Sequence, residues 1–317
     1  MKFAPFLAIA LLLSASSATL ADARDQAQPQ TQTSAVRIEG MRDSIGRVTL
    51  PVFVNGEGPF NFVVDTGANR SAVSRRVADL LGLQLNGVGE VHAFTGVFQA
   101  PFARVASLHS GAASVENADL PVIDGAMLAN ADGLLGVEAL TDRRLILDMR
   151  TRQVTVDDGA RRLSGSRWIT LPGVIRFGNL IMTQGEIGRI RVNVIIDTGA
   201  QTSIVNTELR DALAEGRGDA RAITGSRLAS AASPVVLNEA VFIPRLSVNA
   251  GGIANITAYA GDLYIFQLWD LTEEPAIVLG MDVISQLSVI ALNYRRRRIE
   301  ILTTGRLNDN GDFLTIY

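Results

Sequence analysis

The tetrapeptide Asp-Thr-Gly-Ala occurs twice in this chain of 317 residues, beginning at Asp65 and at Asp197. Each copy ends an apolar run, 60–64 in the first case and 192–196 in the second. A strand that delivers an aspartate onto a glycine-containing turn, formed twice, can bring two carboxyl groups face to face. Two close carboxyls cannot both ionise cheaply, so they share a proton. One can then act as general base and the other as general acid, which is the chemistry of hydrolysis.

The similarity between the two halves extends beyond the tetrapeptides. Two apolar residues and a glycine follow each copy, at 134–136 and at 278–280. Residues 148–156 match residues 293–301, and a Thr-Gly pair lies after each aspartate, at 95–96 and at 224–225. These landmarks recur in the same order, which predicts two similar structural units and not a solenoid of many short repeats.

This set of motifs resembles that of the aspartic proteases. In that family an apolar strand leads into Asp-Thr/Ser-Gly, a hairpin flap follows, and two apolar residues and a glycine come next. Ala68 and Ala200, after the two glycines, are more similar to the retroviral (retropepsin-like) branch than to pepsin. The resemblance covers about 36–302. It implies an all-β, bilobal, pepsin-like fold in which one chain supplies two retropepsin-like β-barrel lobes.

The resemblance also implies roles for individual residues. Asp65 and Asp197 would be the catalytic pair, and the active-site loops would be supported by Thr66, Gly67, Thr198 and Gly199. Candidates for flaps that contact the substrate are Phe94, Thr95, Gly96, Ile223, Thr224 and Gly225. Pepsin-like enzymes usually carry a flap tyrosine, and none occurs between 60 and 110, so a plain surface hairpin remains the alternative. Ser71 and Ser203 either hydrogen-bond the outer carboxylate oxygens or cap the next helical turn.

Composition restricts the other classes of function. The chain is 47% hydrophobic and 19% charged, which is ample for two cores. A net charge of −3 gives no electrostatic reason to expect nucleic acid as a partner. With two histidines and no cysteine, we expect neither a disulfide nor a histidine-rich metal site, and the inferred chemistry needs no cofactor.

The first 23 residues are typical of a secretory signal. Lys2 is followed by an apolar stretch at 6–13 that is too short to span a membrane, and Ala21-Asp22-Ala23 forms a cleavage site. An uncleaved anchor is the alternative. We therefore expect a bacterial periplasmic or secreted protein, a monomer without a stable membrane span once the signal is removed. The predicted organisation is a signal (1–23), a disordered lead-in (24–35), an N-terminal lobe (36–157), a connector (158–167), a C-terminal lobe (168–302) and a tail (303–317).

Apolar runs between Gly, Asn and Asp turns predict the local elements. The predicted strands are 48–54, 60–64, 154–156, 190–196, 235–237 and 299–302. The predicted short helices are 75–81, 138–142, 207–213 and 282–286. The second half also has a longer interval before its apolar-apolar-Gly segment, containing Tyr264, Phe266 and Trp269. These aromatic residues either form apolar subsites for the substrate or pack the segment onto its own half.

The expected function is that of an aspartic endopeptidase acting on proteins or peptides. A water between Asp65 and Asp197 would lose a proton to the ionised carboxylate and attack the peptide carbonyl, while the protonated carboxyl donates to the carbonyl oxygen. Which aspartate is ionised remains open at this level. The alternatives are a catalytically silent peptide-binding module and an envelope scaffold protein with the same fold.

Overall fold

The computed structural model describes residues 35–217, 221–229, 236–249 and 251–302. The predicted signal, the lead-in up to residue 34 and the tail at 303–317 lie outside the described residues. The described part of the chain is mostly β-structure, as expected, with strands arranged in barrel-like sheets. Within these ranges, we find no helix with the length and apolar character needed to cross a membrane.

The N-terminal half consists mainly of strands and contains one short α-helix. The helix is α1 (Arg75–Leu80), and Val137–Leu140 forms a turn of 3-10 helix. The strands are β1 (Val36–Glu39), β2 (Met41–Arg42), β3 (Val48–Val54), β4 (Glu57–Val64), β5 (Ala72–Ser74), β6 (Leu85–Ala93), β7 (Gly96–Ser110), β8 (Ala113–Ile123), β9 (Gly133–Leu135), β10 (Arg144–Asp148) and β11 (Gln153–Asp157).

The C-terminal half has the same character. Its helices are α2 (Thr207–Ala212), α3 (Tyr264–Leu268) and α4 (Met281–Ile284), and Leu213–Arg217 continues α2 as an irregular turn. Its strands are β12 (Trp168–Pro172), β13 (Val174–Arg176), β14 (Leu180–Ile187), β15 (Ile190–Ile196), β16 (Ile204–Val205), β17 (Arg221–Ala229), β18 (Val236–Val248), β19 (Gly251–Ala260), β20 (Ala276–Leu279), β21 (Val289–Asn293) and β22 (Arg298–Leu302).

The repeat in the sequence has a counterpart in the strand order. The N-terminal half forms an eight-stranded sheet in the order β2-β3-β4-β9-β5-β8-β7-β6, and β3 pairs again with β7. The C-terminal half forms an eight-stranded sheet in the order β13-β14-β15-β20-β16-β19-β18-β17, and β14 pairs again with β18. Position by position the two orders correspond, so β4 is equivalent to β15, β9 to β20 and β6 to β17.

A third sheet joins the two halves. Its order is β1-β11-β10-β21-β22-β12, and its central pairing is between β10 of the first half and β21 of the second. Residues 158–167, between β11 and β12, contain neither helix nor strand. Backbone hydrogen bonds within this sheet therefore join strands of the first half of the chain to strands of the second.

Local sequence explains the elements that lead to the site. Strand β15 is buried along almost its whole length, as the predominance of apolar, β-branched residues in it predicts; only Arg191 is exposed. Helix α1 begins where the Ser74 hydroxyl accepts from the Val77 amide, and α2 begins where Asn206 accepts from the Leu209 amide. Strands β3 and β15 have the predicted boundaries. The prediction 235–237 was wrong in length, because β18 extends to Val248 as part of a long hairpin that local pattern does not specify.

The aromatic segment of the second half packs into its own core. Phe266 and Trp269 are buried, with Trp269 1% exposed, in a cluster that also contains Leu180 and Val278. The packing alternative therefore holds for these two side chains. Tyr264 differs, because it is half-buried and contacts the other half of the chain.

Candidate active site

The two Asp-Thr-Gly-Ala loops lie at equivalent strand ends. Strand β4 runs parallel to β9 and ends at Val64, and β15 runs parallel to β20 and ends at Ile196. The Asp65 amide donates to the Leu135 carbonyl over 3.0 Å, and the Asp197 amide donates to the Leu279 carbonyl over 3.0 Å. Thus each apolar-apolar-Gly segment holds the backbone of its own aspartate.

The two threonines fasten the loops to each other. The Thr66 hydroxyl donates to the Ile196 carbonyl over 2.7 Å, and the Thr198 hydroxyl donates to the Val64 carbonyl over 2.6 Å. In return each hydroxyl accepts from the opposite amide, at 3.0 Å for the Thr198 amide and 3.2 Å for the Thr66 amide. Both threonines are buried, so these reciprocal bonds exclude water and bring the two loops together.

The glycines lie directly against the opposite carboxyl groups. A Cβ atom added at Gly67 would be 2.6 Å from the Asp197 carboxyl carbon, and one added at Gly199 would collide with the Asp65 carboxyl. Any other residue would displace these carboxyls. Each glycine amide also donates to the aspartate two residues before it, over 3.0 Å for Gly67 and 2.8 Å for Gly199. The structure therefore brings Asp65, Asp197, Gly67 and Gly199 into one cluster.

The environment of the two carboxyls favours protonation. Removal from water raises the pKa of Asp65, although Arg47 and the Gly67 amide act in the opposite direction. Burial and the nearby Asp65 charge raise the pKa of Asp197 well above its ordinary value, and Asp197 is 2% exposed. The two carboxyls also act on each other, since Asp197 lowers the pKa of Asp65 and Asp65 raises that of Asp197. Such a pair can hold one proton between two carboxyls, as acid–base catalysis requires.

Ser71 and Ser203 join the two aspartate loops to the apolar-apolar-Gly segments. The Ser71 hydroxyl accepts from the Gly136 amide over 2.9 Å, and the Ser203 hydroxyl accepts from the Gly280 amide over 3.0 Å. The same two serines bind an acidic partner, since the Ser71 amide donates to Glu138 and the Ser203 hydroxyl donates to Asp282. Neither sequence interpretation described this arrangement, although Glu138 and Asp282 occupy matching positions in the repeat.

The first flap candidate is a hairpin that reaches the other half of the chain. Phe94 and Thr95 connect β6 to β7, and Ala93 pairs with Gly96. The Phe94 ring contacts the edge of Trp269 with ring centroids 6.2 Å apart, and its carbonyl accepts from the Ile265 amide over 3.2 Å. Two residues before Phe94, the ring of His92 stacks on Tyr264, and its Nδ1 atom is 2.5 Å from the Tyr264 hydroxyl.

The second flap candidate is placed differently. Ile223, Thr224 and Gly225 lie inside β17, where Ile223 pairs with Ala240 and Thr224 pairs with Glu239. Because β17 is equivalent to β6, the residues equivalent to the first hairpin tip follow Ala229 and lie outside the described residues. The match between the two Thr-Gly pairs was therefore wrong as a structural equivalence, since a dipeptide does not determine its position along a hairpin.

Two residues that affect the carboxyls were not predicted from the sequence. Arg47, just before β3, is buried and lowers the pKa of Asp65 through its charge. Tyr294, just after β21, is also buried, and its hydroxyl has no hydrogen-bond partner within the described ranges. Burial and the charges of Asp65 and Asp197 raise the pKa of the Tyr294 phenol, so it is neutral. Arg47 belongs to no repeated motif, whereas Tyr294 lies in the repeated segment 293–301, at the position that Met149 occupies in the first half.

Comparison with known proteins bears on the first half of this site. A family model described as gag-polyprotein putative aspartyl protease matches residues 50–142. The match supports a retropepsin-like aspartic protease. It contains the first Asp-Thr-Gly-Ala loop and the segment 134–136, and it suggests aspartic peptidase activity, hence a hydrolase. It ends before the second loop, and no curated protein matches the chain.

Proposed function

We propose that the chain is a single-chain aspartic endopeptidase whose catalytic pair is Asp65 and Asp197. The two eight-stranded sheets form two retropepsin-like lobes in a pepsin-like arrangement, and each contributes one loop. The observation that carries this proposal is the mutual packing of the loops. Gly67 lies against Asp197, Gly199 lies against Asp65, and the threonines exchange hydrogen bonds across the junction.

In the proposed reaction both carboxyls transfer protons. A water bound between them loses a proton to the ionised carboxylate, and its oxygen bonds to the carbonyl carbon of the substrate. The protonated carboxyl gives its proton to the carbonyl oxygen. In the second step the newly protonated carboxyl donates to the amide nitrogen, the carbon–nitrogen bond breaks, and a hydroxyl proton returns to the other carboxyl. The pair then has its starting charge again.

We further propose that the enzyme acts in the periplasm or outside the cell on protein or peptide substrates, as a monomer. The support for this location is the signal-like sequence at 1–23. The support for one chain being sufficient is that both aspartate loops of the pair come from the same polypeptide. The hairpin formed by β6 and β7 would cover the substrate.

Peptide digestion by wild type, Asp65→Asn and Asp197→Asn tests the proposal. Asparagine keeps the shape of the side chain but cannot take up the water proton, so each variant should lose hydrolysis while its circular dichroism is unchanged. Asp119→Asn, at an exposed aspartate that pairs with Arg104, is the matched control and should keep full activity.

A transition-state-mimicking peptide such as pepstatin should inhibit the wild type. Hydrolysis that persists in Asp65→Asn or Asp197→Asn would refute the assignment of these two aspartates as the catalytic pair. Binding of peptides without any hydrolysis would instead favour the silent peptide-binding module.

A further inference from the structure

The two dyad aspartates face different residues on the neighbouring strand. In the first half Thr49 pairs with Val63, and continuing this register by two residues places Arg47 opposite Asp65. In the second half Met182 pairs with Ile195, and the same step places Leu180 opposite Asp197. Thus a site with matching loops has a cation beside one carboxyl and an aliphatic side chain beside the other.

Arg47 is firmly held in this position. It is 7% exposed, its Nε atom donates to Asp43 over 2.7 Å, and its Nη2 atom donates to the Leu128 carbonyl over 2.7 Å. Asp43 also accepts from the Arg47 amide over 2.8 Å. An arginine buried this way keeps its charge and has little freedom to move away.

Several groups act on the pair at once. Asp65 faces Asp197, and the phenol of Tyr294 lies close enough to sense both charges. Asp43 neutralises part of the Arg47 charge, so the effect on Asp65 is smaller than that of an isolated guanidinium. Even so, Arg47 has the strongest lowering effect of any charge on the pKa of Asp65, whereas the strongest charge effect on Asp197 comes from Asp65 and raises its pKa.

We infer that Arg47 is a positioning residue that makes the two carboxyls unequal, so that Asp65 carries the negative charge and Asp197 holds the proton. Leu180 offers no such charge to Asp197, and it is fully buried. The catalytic meaning rests on the proposed function. Asp65 would take the proton from water, and Asp197 would donate to the substrate carbonyl oxygen.

Titration of each carboxyl by carbon-13 NMR tests the inference without a substrate. In Asp197→Asn only Asp65 of the pair titrates, and in Asp65→Asn only Asp197 does, which avoids the ambiguity of a coupled pair. We expect Asp65 to titrate at the lower pH. The inference is overturned if Asp197, measured in Asp65→Asn, titrates at the same pH as Asp65 does in Asp197→Asn, or at a lower one.

Removing the arginine is the second arm of the experiment. Asp43→Asn/Arg47→Gln, introduced into both single-aspartate proteins, removes the charge pair without leaving Asp43 buried and unpaired. We expect the pKa of Asp65 to rise by about one unit and that of Asp197 to change much less. Equal changes at the two aspartates, or none, would contradict the role of Arg47. If the proteins with Asp43→Asn/Arg47→Gln do not fold, Asp43→Leu/Arg47→Leu replaces this charge pair with apolar side chains for the same measurement.

A matched control separates charge at the site from loss of a buried ion pair. Arg144 is also buried and binds both Asp157 and the fully buried Glu300, but it lies on β10 in the third sheet. Asp157→Asn/Arg144→Gln/Glu300→Gln, which removes this charge cluster without leaving either carboxylate unpaired, should leave the titration of both dyad carboxyls unchanged.

In the active enzyme, the Asp43/Arg47 variant should move the acid limb of the kcat/KM profile to higher pH, and the Arg144 control should not. Arg47→Lys, which keeps the positive charge, should restore a profile close to that of the wild type. Because the NMR arm requires no hydrolysis, loss of the proposed function and loss of this inference give different results.

Discussion

Replacing Thr66 by valine should remove hydrogen bonds between the two halves of the site and lower the free energy of unfolding. Valine keeps the shape of threonine but replaces the hydroxyl oxygen by a methyl group. The Ile196 carbonyl then loses its donor at 2.7 Å, and the Thr198 amide loses its acceptor at 3.0 Å. Both groups are buried at the junction of the loops, so water cannot replace the lost partner.

The size of the effect follows from these two groups. A buried polar group left without a partner costs about 1–3 kcal/mol, so Thr66→Val should lower the free energy of unfolding by about 2–6 kcal/mol. The methyl group would also lie too close to the carbonyl oxygen, which adds strain. A domain of ordinary stability has about 5–15 kcal/mol in total, so the loss is a large share.

Denaturant unfolding with matched controls measures this effect. Thr66→Ser keeps the hydroxyl and should be much milder. Thr183→Val removes one buried hydroxyl that donates to the Pro172 carbonyl over 2.9 Å, away from the junction, and should cost about 1 kcal/mol. Thr198→Val should resemble Thr66→Val, and the double variant should lose less than the sum because the Thr198 hydroxyl also donates to the Thr66 hydroxyl over 3.4 Å.

The reasoning would be refuted if Thr66→Val were no more destabilising than Thr183→Val. Strict additivity of Thr66→Val and Thr198→Val would also contradict it, because it would mean that the two hydroxyls act independently. In a peptidase assay at a temperature where all variants are folded, Thr66→Val should lower kcat, and Thr183→Val should not.

Three further predictions concern the carboxyl cluster. Gly199→Ala should reduce hydrolysis by about a hundredfold or more by displacing the Asp65 carboxyl, whereas Gly125→Ala, where an added Cβ meets no close atom, should be silent in the same assay. Asp197→Asn should melt at a higher temperature than wild type at neutral pH. Because the pKa of Asp197 is raised in the folded state, the stability of the wild type falls as pH rises above about 4, and the difference in melting temperature should disappear below that pH. A pH-independent difference in melting temperature would contradict it. Tyr294→Phe should stabilise the fold by about 1 kcal/mol in denaturant unfolding, since it removes a buried hydroxyl without a partner in the described part of the chain, and a loss of stability would show that the hydroxyl is satisfied.

Part of the fold could be predicted because the information is local. The segments Val48–Val54 and Ile190–Ile196, which are rich in apolar and β-branched residues, predicted strands with the boundaries that the structure has. The repeated tetrapeptides predicted that two aspartates follow equivalent strands, because burial and turn formation depend on neighbouring residues. The amino-acid sequence alone therefore identifies the residues in the centre of the site.

Other features depended on register and packing between distant segments. A sequence repeat does not show that Arg47 stands opposite Asp65, because that placement depends on how β3 pairs with β4. Nor does it show that the β6–β7 hairpin reaches α3, because the contact of Phe94 with Trp269 joins residues far apart in the chain.

The sequence by itself determined the paired aspartates, their glycines and the strands that carry them. The tertiary structure alone decided what makes the two copies unequal. Strand register places a buried cation beside Asp65 and a leucine beside Asp197, and the hairpin of the first half rests on an aromatic segment found only in the second. The physical reason is that side-chain pattern specifies which residues are buried, whereas pairing between strands specifies which buried residues meet.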